Sequence, residues 1–326
     1  MEDLLNALHQ KTVGSKEFRE QFYDEYNRYK RRPIHADVIM YSFKLNEHDH
    51  INRHEFNRLR HSIASIRKFN WGGTYPDNLE VFLFCDDLSA IPAYFKDDYN
   101  VQVVQSYEYD PTMLNAWSVH RWFNLQHFKD RSCNILYVDS DTVFYSDPKY
   151  LFRTYSSFDV YGKEERGFRH CPIAGSGKDI RFQLDVVDAC IKVMGGNVPI
   201  YKFCIGAILL NNNIHKKIVS KLDQFIDIMD GLKANEVLNP IPNPRILDQY
   251  AMWIIWSRIS ATNALFGVQD VTHGWIEVKH AEYFNPVLLH YTTRDEQKFA
   301  ESNPEYNNLI RDVEELGISI DPHSMV

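Results

Sequence analysis

Short apolar runs alternate with amphipathic stretches along most of this 326-residue chain. DVIMYSF (37–43), LEVFLFCDD (79–87), VQVVQSY (101–107) and CNILYVDSDTVF (133–144) have strand length and β-rich composition. Between the first two, RHEFNRLRHSIASIRKF (53–69) places Phe56, Leu59, Ile63 and Ile66 at the 3–4 spacing of a helix with one buried face. AWSVHRWFNLQHF (116–128) predicts a second helix. Such alternation predicts an α/β fold, a mostly parallel central sheet flanked by helices on both faces. Ligands of such sheets bind beyond the carboxyl ends of the strands.

Past residue 150 the alternation loosens. DVYGKEE (159–165), FCIGAILLNN (203–212) and VLLHYTT (287–293) predict further strands. ILDQYAMWIIWSRI (246–259) predicts a helix behind the proline-rich loop NPIPNPR (239–245). Residues 1–35 are charged and helix-permissive, ending in Lys30-Arg31-Arg32 before Pro33, and are expected to form an N-terminal helical extension. Residues 36–300 are expected to form one large domain, and 301–326 a peripheral helix and tail.

Composition narrows the function. A net charge of −8 and no basic stripe argue against nucleic acid or an anionic membrane surface as a partner. Cysteines 85, 133, 171, 190 and 204 form no C-x-x-C pair, so a reducing compartment is expected. The amino terminus is too polar for a signal peptide. No uncharged apolar run approaches the roughly 18 to 20 residues of a membrane span, and a cytoplasmic protein without a transmembrane segment is expected.

The sharpest chemical feature is NILYVDSDTVFYSDP, where Asp139 and Asp141 follow an apolar run. In extended chain, residues two apart point to the same side, so both carboxylates should face one spot past a buried strand. Two anions at the edge of an apolar core need a neutralising cation, and a divalent metal with hard oxygen ligands supplies one. An exposed acidic turn is the plainer alternative. Asp139-Ser140-Asp141 also has a superficial likeness to the first motif of haloacid-dehalogenase phosphatases. That family has Gly where this chain has Thr142, however, and carries its motif near the amino terminus.

The segment more closely resembles the DxD motif of GT-A fold, nucleotide-sugar-dependent glycosyltransferases, above all the family-8 type that includes glycogenin and bacterial galactosyltransferases. Ile135 to Phe144, followed by Asp147-Pro148 and Leu151-Phe152, is similar to that pattern throughout. Cys204-Ile205-Gly206-Ala207-Ile208-Leu209-Leu210-Asn211 resembles the family's N-S-G-V-M-L-x-N strand, Asp248-Gln249 its D-Q motif, and His290-Tyr291 its late H-[FY]. Two departures stand out. Cys204-Ile205 replaces a polar Asn-Ser pair, and the family's G-x-x-K-P-W is absent after His290, leaving Arg294 and Lys298 as the nearest cations for a diphosphate.

The resemblance implies a transferase that moves a hexose or pentose from a nucleoside-diphosphate sugar, UDP- favoured over GDP-, to a hydroxyl on a glycan, protein or small acceptor. It implies Mn²⁺ or Mg²⁺ held by Asp139, Asp141 and His290, with His273 and His280 as competing imidazoles. Ser140 and Arg121, on the helix that also carries Ser118, would lie against the donor. Tyr41, Ser42, Asp86 and Asp87 are candidates for the nucleotide base, with packing in the sheet as the alternative for Tyr41 and a plain loop acid pair as that for Asp86 and Asp87. Asp248 and Gln249 would face the donor sugar, and Asp248 or Glu165 would serve as base in an inverting reaction, with a carboxylate at a helix N-terminus as the alternative for Asp248. Trp117 and Trp275 are candidates for an acceptor platform, with core filling as the alternative. On this view about 36–150 is the nucleotide-binding half and about 151–300 completes the acceptor and metal sites. A metal-dependent phosphohydrolase and a catalytically silent sugar-nucleotide or glycan-binding homologue are the rival readings.

Overall fold

The computed structural model describes residues 36–46, 48–69, 79–107, 116–164, 203–233, 247–266, 270–273 and 286–290. The expected extension over 1–35 and tail over 301–326 lie outside these. The strands are β1 (Ala36–Phe43), β2 (Leu79–Cys85), β3 (Gln102–Gln105), β4 (Cys133–Val138), β5 (Thr142–Phe144), β6 (Val160–Glu164), β7 (Phe203–Leu210), β8 (Asn263–Leu265), β9 (Val271–His273) and β10 (Leu288–His290). The helices are α1 (Asp49–Phe69), α2 (Tyr94–Asp97), α3 (Ala116–Phe123), α4 (Lys149–Thr154), α5 (Ile214–Val219), α6 (Leu222–Lys233) and α7 (Leu247–Arg258). The stretch expected as one helix over 116–128 is α-helical only to Phe123 and continues as a 3₁₀ helix over Asn124–Phe128.

Among the described residues, seven strands form the main sheet in the order β3-β2-β1-β4-β7-β6-β8. β1 pairs in parallel with β2 and β4, β2 with β3, and β6 with β8, whereas β7 is antiparallel to both β4 and β6. The sheet is thus mostly parallel, as expected, with β7 as the one strand that runs against the rest. Alternation along β1 divides two cores. Val38 and Met40 face the cluster holding Trp122, Phe128 and α7, while Ile39 and Tyr41 face the one holding Leu59, Ile63 and Phe144. α7 is buried on all sides from Ala251 to Trp256, which accounts for its lack of a polar stripe.

The run read as one strand over 133–144 is two. β4 stops at Val138, residues 139–141 turn, and β5 departs into a second sheet of order β5-β10-β9. The Thr142 hydroxyl closes the turn by donating to the Asp139 carbonyl at 2.8 Å. β10 pairs antiparallel with β5 in the register Leu288↔Phe144, Leu289↔Val143, His290↔Thr142. That register carries His290 next to the acids. No described helix is long and apolar enough to cross a membrane.

Below the sheet, Arg67 at the end of α1 is buried and donates from Nε to the Tyr99 carbonyl at 2.7 Å, from Nη2 to Asn100 at 2.8 Å and from Nη1 to Leu79 at 3.3 Å. One guanidinium therefore satisfies the buried carbonyls of Tyr99 and of Leu79 at the start of β2, together with that of the exposed Asn100. Arg67→Met should lower stability by about 2–4 kcal/mol, read from urea unfolding, because the Tyr99 and Leu79 carbonyls stay buried without this donor. A loss under about 0.5 kcal/mol would show that water replaces it.

Candidate metal and donor site

Ligand atoms of Asp139, Asp141 and His290 all lie within 4.8 Å of one another. His290 Nε2 is 3.2 Å from Asp141 Oδ1 and 3.8 Å from Asp139 Oδ2. The acids meet through the 139–141 turn rather than through the extended alternation expected from the sequence. β7 supports the imidazole: a Cβ at Gly206 would sit 2.0 Å from His290 Cε1, so only glycine lets the strand pass this close. The Gly206 carbonyl also accepts from the Asp139 amide at 2.8 Å. Burial pushes the His290 imidazole down, but the Asp141 charge and hydrogen bonds to Asp141 and the Cys204 thiol outweigh it, and the group is raised to about 10. Two hard carboxylate oxygens and one imidazole nitrogen, converging where Gly206 leaves room for the ring, suit Mn²⁺ or Mg²⁺.

Behind Asp139 stands a buried polar layer. Its Oδ1 accepts from the Tyr137 hydroxyl at 2.6 Å and from Arg121 Nη1 at 3.0 Å, which leaves Oδ2 toward His290. The Arg121 side chain is 8% exposed; its Nε lies 3.6 Å from Asp248 Oδ2, and its guanidinium sits 5.0 Å from the Tyr137 ring centroid. Burial opposes the Arg121 charge, but Asp139, Tyr137 and Asp248 more than offset it, so its affinity for a proton rises. Asp248, 1% exposed, is pushed up to about 6 by burial, with Arg121 pulling it back and Asp139 adding to the rise.

The other candidate residues are held by neighbours within the fold. Tyr41, expected against a nucleotide base, is 1% exposed and shares a 2.6 Å hydrogen bond with Ser62 Oγ, since its side of β1 faces α1. Ser42 accepts from Asn124 Nδ2 at 3.0 Å and stays partly exposed at the carboxyl end of β1. Asp86 accepts from the Leu45 amide at 2.9 Å, tying the β1 and β2 ends together. Asp87 caps the 3₁₀ turn Leu88–Ala90 by accepting the Ser89 amide and hydroxyl on Oδ1 and stays exposed. Gln249 accepts from the Ile205 amide at 3.3 Å and is buried, so it ties α7 to β7. Ser140 donates to Glu55 at 3.1 Å. Asp147 receives the Lys149 amide at 2.9 Å at the start of α4, and Leu151 and Phe152 are core residues. Glu165, Arg294, Lys298, Tyr291, His280 and Trp275 lie outside the described residues, as do the side chains of Trp117, Ser118 and His273.

Two residues that sequence reading passed over reach the turn from α1. Arg58 Nη2 lies 3.9 Å from Asp141 Oδ2, and Glu55 holds Arg58 Nη1 at 2.9 Å as well as Ser140. Ser62 Oγ meets Thr142 at 3.0 Å, and Ser65 Oγ receives the Phe144 amide at 2.9 Å. Glu55, Arg58, Ser62 and Ser65 repeat at helical spacing, a polar stripe beside the apolar one.

No protein-family model matches the chain, and no curated protein matches it by sequence. Among solved structures it is similar to the bifunctional glycosyltransferase WbbM, at 15% identity and a TM-score of 0.51 over 86% of this chain and 52% of that one. The chain thus spans about half the length of WbbM. The glycosyltransferase GlyE of Streptococcus pneumoniae TIGR4 matches at 14% identity and a TM-score of 0.48, over 86% of this chain and 60% of that one. The galactosyltransferase LgtC, solved with donor and acceptor sugar analogs, matches at 10% identity and 0.48, over 88% and 98%. The fold of the chain is the GT-A glycosyltransferase fold.

Gly206→Ala should cost about 1–3 kcal/mol by driving a methyl into the His290 ring, and His290→Ala in the same chain should recover most of it. Additive losses in a double-mutant cycle would deny the contact. Asp248 supplies a pH signature. Its folded pKa near 6 exceeds the ordinary 3.8, so the native state holds this proton more tightly. The resulting stability is complete below pH 3.8 and is lost as pH rises through 6. Asp248→Asn should remove that slope from the urea midpoints between pH 4 and 7, and an unchanged slope would place its origin elsewhere.

Proposed function

We propose that the chain is a divalent-metal-dependent glycosyltransferase that moves a sugar from a nucleoside-diphosphate sugar, a UDP-sugar in the first instance, to a hydroxyl on a glycan, protein or small molecule. One observation carries the reading: on a GT-A fold, the two acids that end a buried strand and an imidazole from the second sheet bring their ligand atoms within 4.8 Å. Asp139 through Oδ2, Asp141 and His290 would hold Mn²⁺ or Mg²⁺, and the chemistry it supplies when bound is Lewis-acid stabilisation of the departing diphosphate.

The protein's own groups do the rest. Arg121 and Tyr137 fix the Asp139 carboxylate by gripping one oxygen and aiming the other, and Asp248 holds Arg121 in place. That makes Asp248 a positioning residue, since it shows almost no surface to a sugar. Ser42 at the end of β1 would contact the nucleotide, and Arg294 and Lys298 would balance the diphosphate. Glu165 is the remaining carboxylate for an acceptor proton should the reaction invert.

Asp141→Ala should reduce Mn²⁺-dependent transfer and slow donor hydrolysis by about a hundredfold or more, while leaving the unfolding midpoint of the metal-free protein within a few degrees of wild type. Release of nucleoside diphosphate from a panel of UDP- and GDP-sugars, with Mn²⁺ and with chelator, reads this out. Full turnover by the variant, or chelator-resistant turnover by the wild type, would reject the assignment.

A further inference from the structure

We propose that Arg58 is a resident counter-cation of Asp141 whose charge competes with an incoming divalent ion, and that Glu55 is the acid that retains it. The inference rests on the reading of Asp139, Asp141 and His290 as a metal site, and adds two positioning residues that set its affinity.

Both arginines near the D-x-D turn leave to the imidazole the acid oxygen that faces His290, Oδ2 of Asp139 and Oδ1 of Asp141, and they differ in how firmly they are held. Arg121 is bonded to Asp139 Oδ1 at 3.0 Å, is flanked by Asp248 and Tyr137, and leaves the oxygen that faces His290 untouched. It can stay when an ion arrives. Arg58 instead leans on Asp141 Oδ2 at 3.9 Å, past hydrogen-bond length, while Glu55 takes its Nη1 at 2.9 Å. Its Nε is buried with no hydrogen-bond partner among the described residues. Two carboxylates therefore share one guanidinium, and the better-bonded one is Glu55.

A divalent ion on Asp141 would put two positive charges within a few ångströms of Arg58, where like charges repel strongly. Glu55 gives the guanidinium somewhere to remain, and it is itself tied to the turn through Ser140 Oγ at 3.1 Å. Opposite effects follow for the two partners. Removing Arg58 takes away a competitor for Asp141, whereas neutralising Glu55 leaves Asp141 as the only acid paired with Arg58 among the described residues and sharpens the competition.

Mn²⁺ binding to the full chain without nucleotide, followed by loss of the free-ion electron paramagnetic resonance signal, tests this. Arg58→Met should bind about three- to tenfold more tightly than wild type, and Glu55→Gln weaker by a similar factor. A role confined to holding the fold would weaken binding in both. Unchanged or weaker binding by Arg58→Met, with its metal-free unfolding midpoint intact, overturns the inference. Should Arg58→Met fail to fold, Glu55→Gln decides: equal or tighter binding overturns it, as does weaker binding with a lowered metal-free unfolding midpoint, and weaker binding with that midpoint unchanged supports it. Asp141→Ala separates the two readings, because a wild type that binds and an Asp141→Ala that does not preserve the metal site whatever the α1 variants do. A wild type that takes up no Mn²⁺ overturns both.

Discussion

Two carboxylates forced together at the end of a buried strand repel each other, and the rest of the site is organised around neutralising them. Like charges about 4 Å apart cost about 4 kcal/mol even at an effective dielectric of ~20. Positive charge arrives from three separate elements: Arg121 from α3, His290 from β10 and Arg58 from α1. None of these is near the D-x-D turn in sequence, so the turn is where distant parts of the chain must agree. The small second sheet gains its purpose from this, since pairing His290 with Thr142 is what carries the imidazole to the acids.

Much of the fold was legible because burial writes itself into periodicity. β1, β2, β4 and β7 are apolar runs of strand length, and α1 has a 3–4 apolar stripe, so each could be placed within a few residues. The division of residues 133–144 into β4, a turn and β5 could not be read that way. Both strands are apolar, and the break depends on Thr142 closing onto the Asp139 carbonyl and on pairing with β10, nearly 150 residues away. The antiparallel direction of β7 was likewise silent, because a strand covered on both faces has the same composition in either direction.

The site was legible in its acids and obscure in their supports. Asp139 and Asp141 stood out as charges ending an apolar run. Tyr41 looked equally available at the end of β1, but the face it occupies is decided by α1, whose Ser62 takes its hydroxyl. Glu55 and Arg58 were hidden for the opposite reason, since charged residues on an amphipathic helix read as a solvated face. Here the polar stripe turns inward, because Ser62 and Ser65 dock on β5 and bring Glu55 and Arg58 down onto the turn. Gly206 left a fainter mark, a lone glycine in an apolar strand, which points to close approach by another group.

The support of Asp139 also shows where the structure gives up stability for arrangement. Asp248 is buried with its carboxyl raised to about 6, so near neutral pH the fold holds an anion it would bury more cheaply as an acid. An apolar residue of similar size would avoid that cost but would leave Arg121 without its second acid, free to slide along Asp139 and cover both oxygens. The pair is thus better understood as a fixture than as a stabilising bridge. It keeps Asp139 in one presentation, while Asp141, held by a looser and partly exposed arginine, remains the carboxylate whose partner can change.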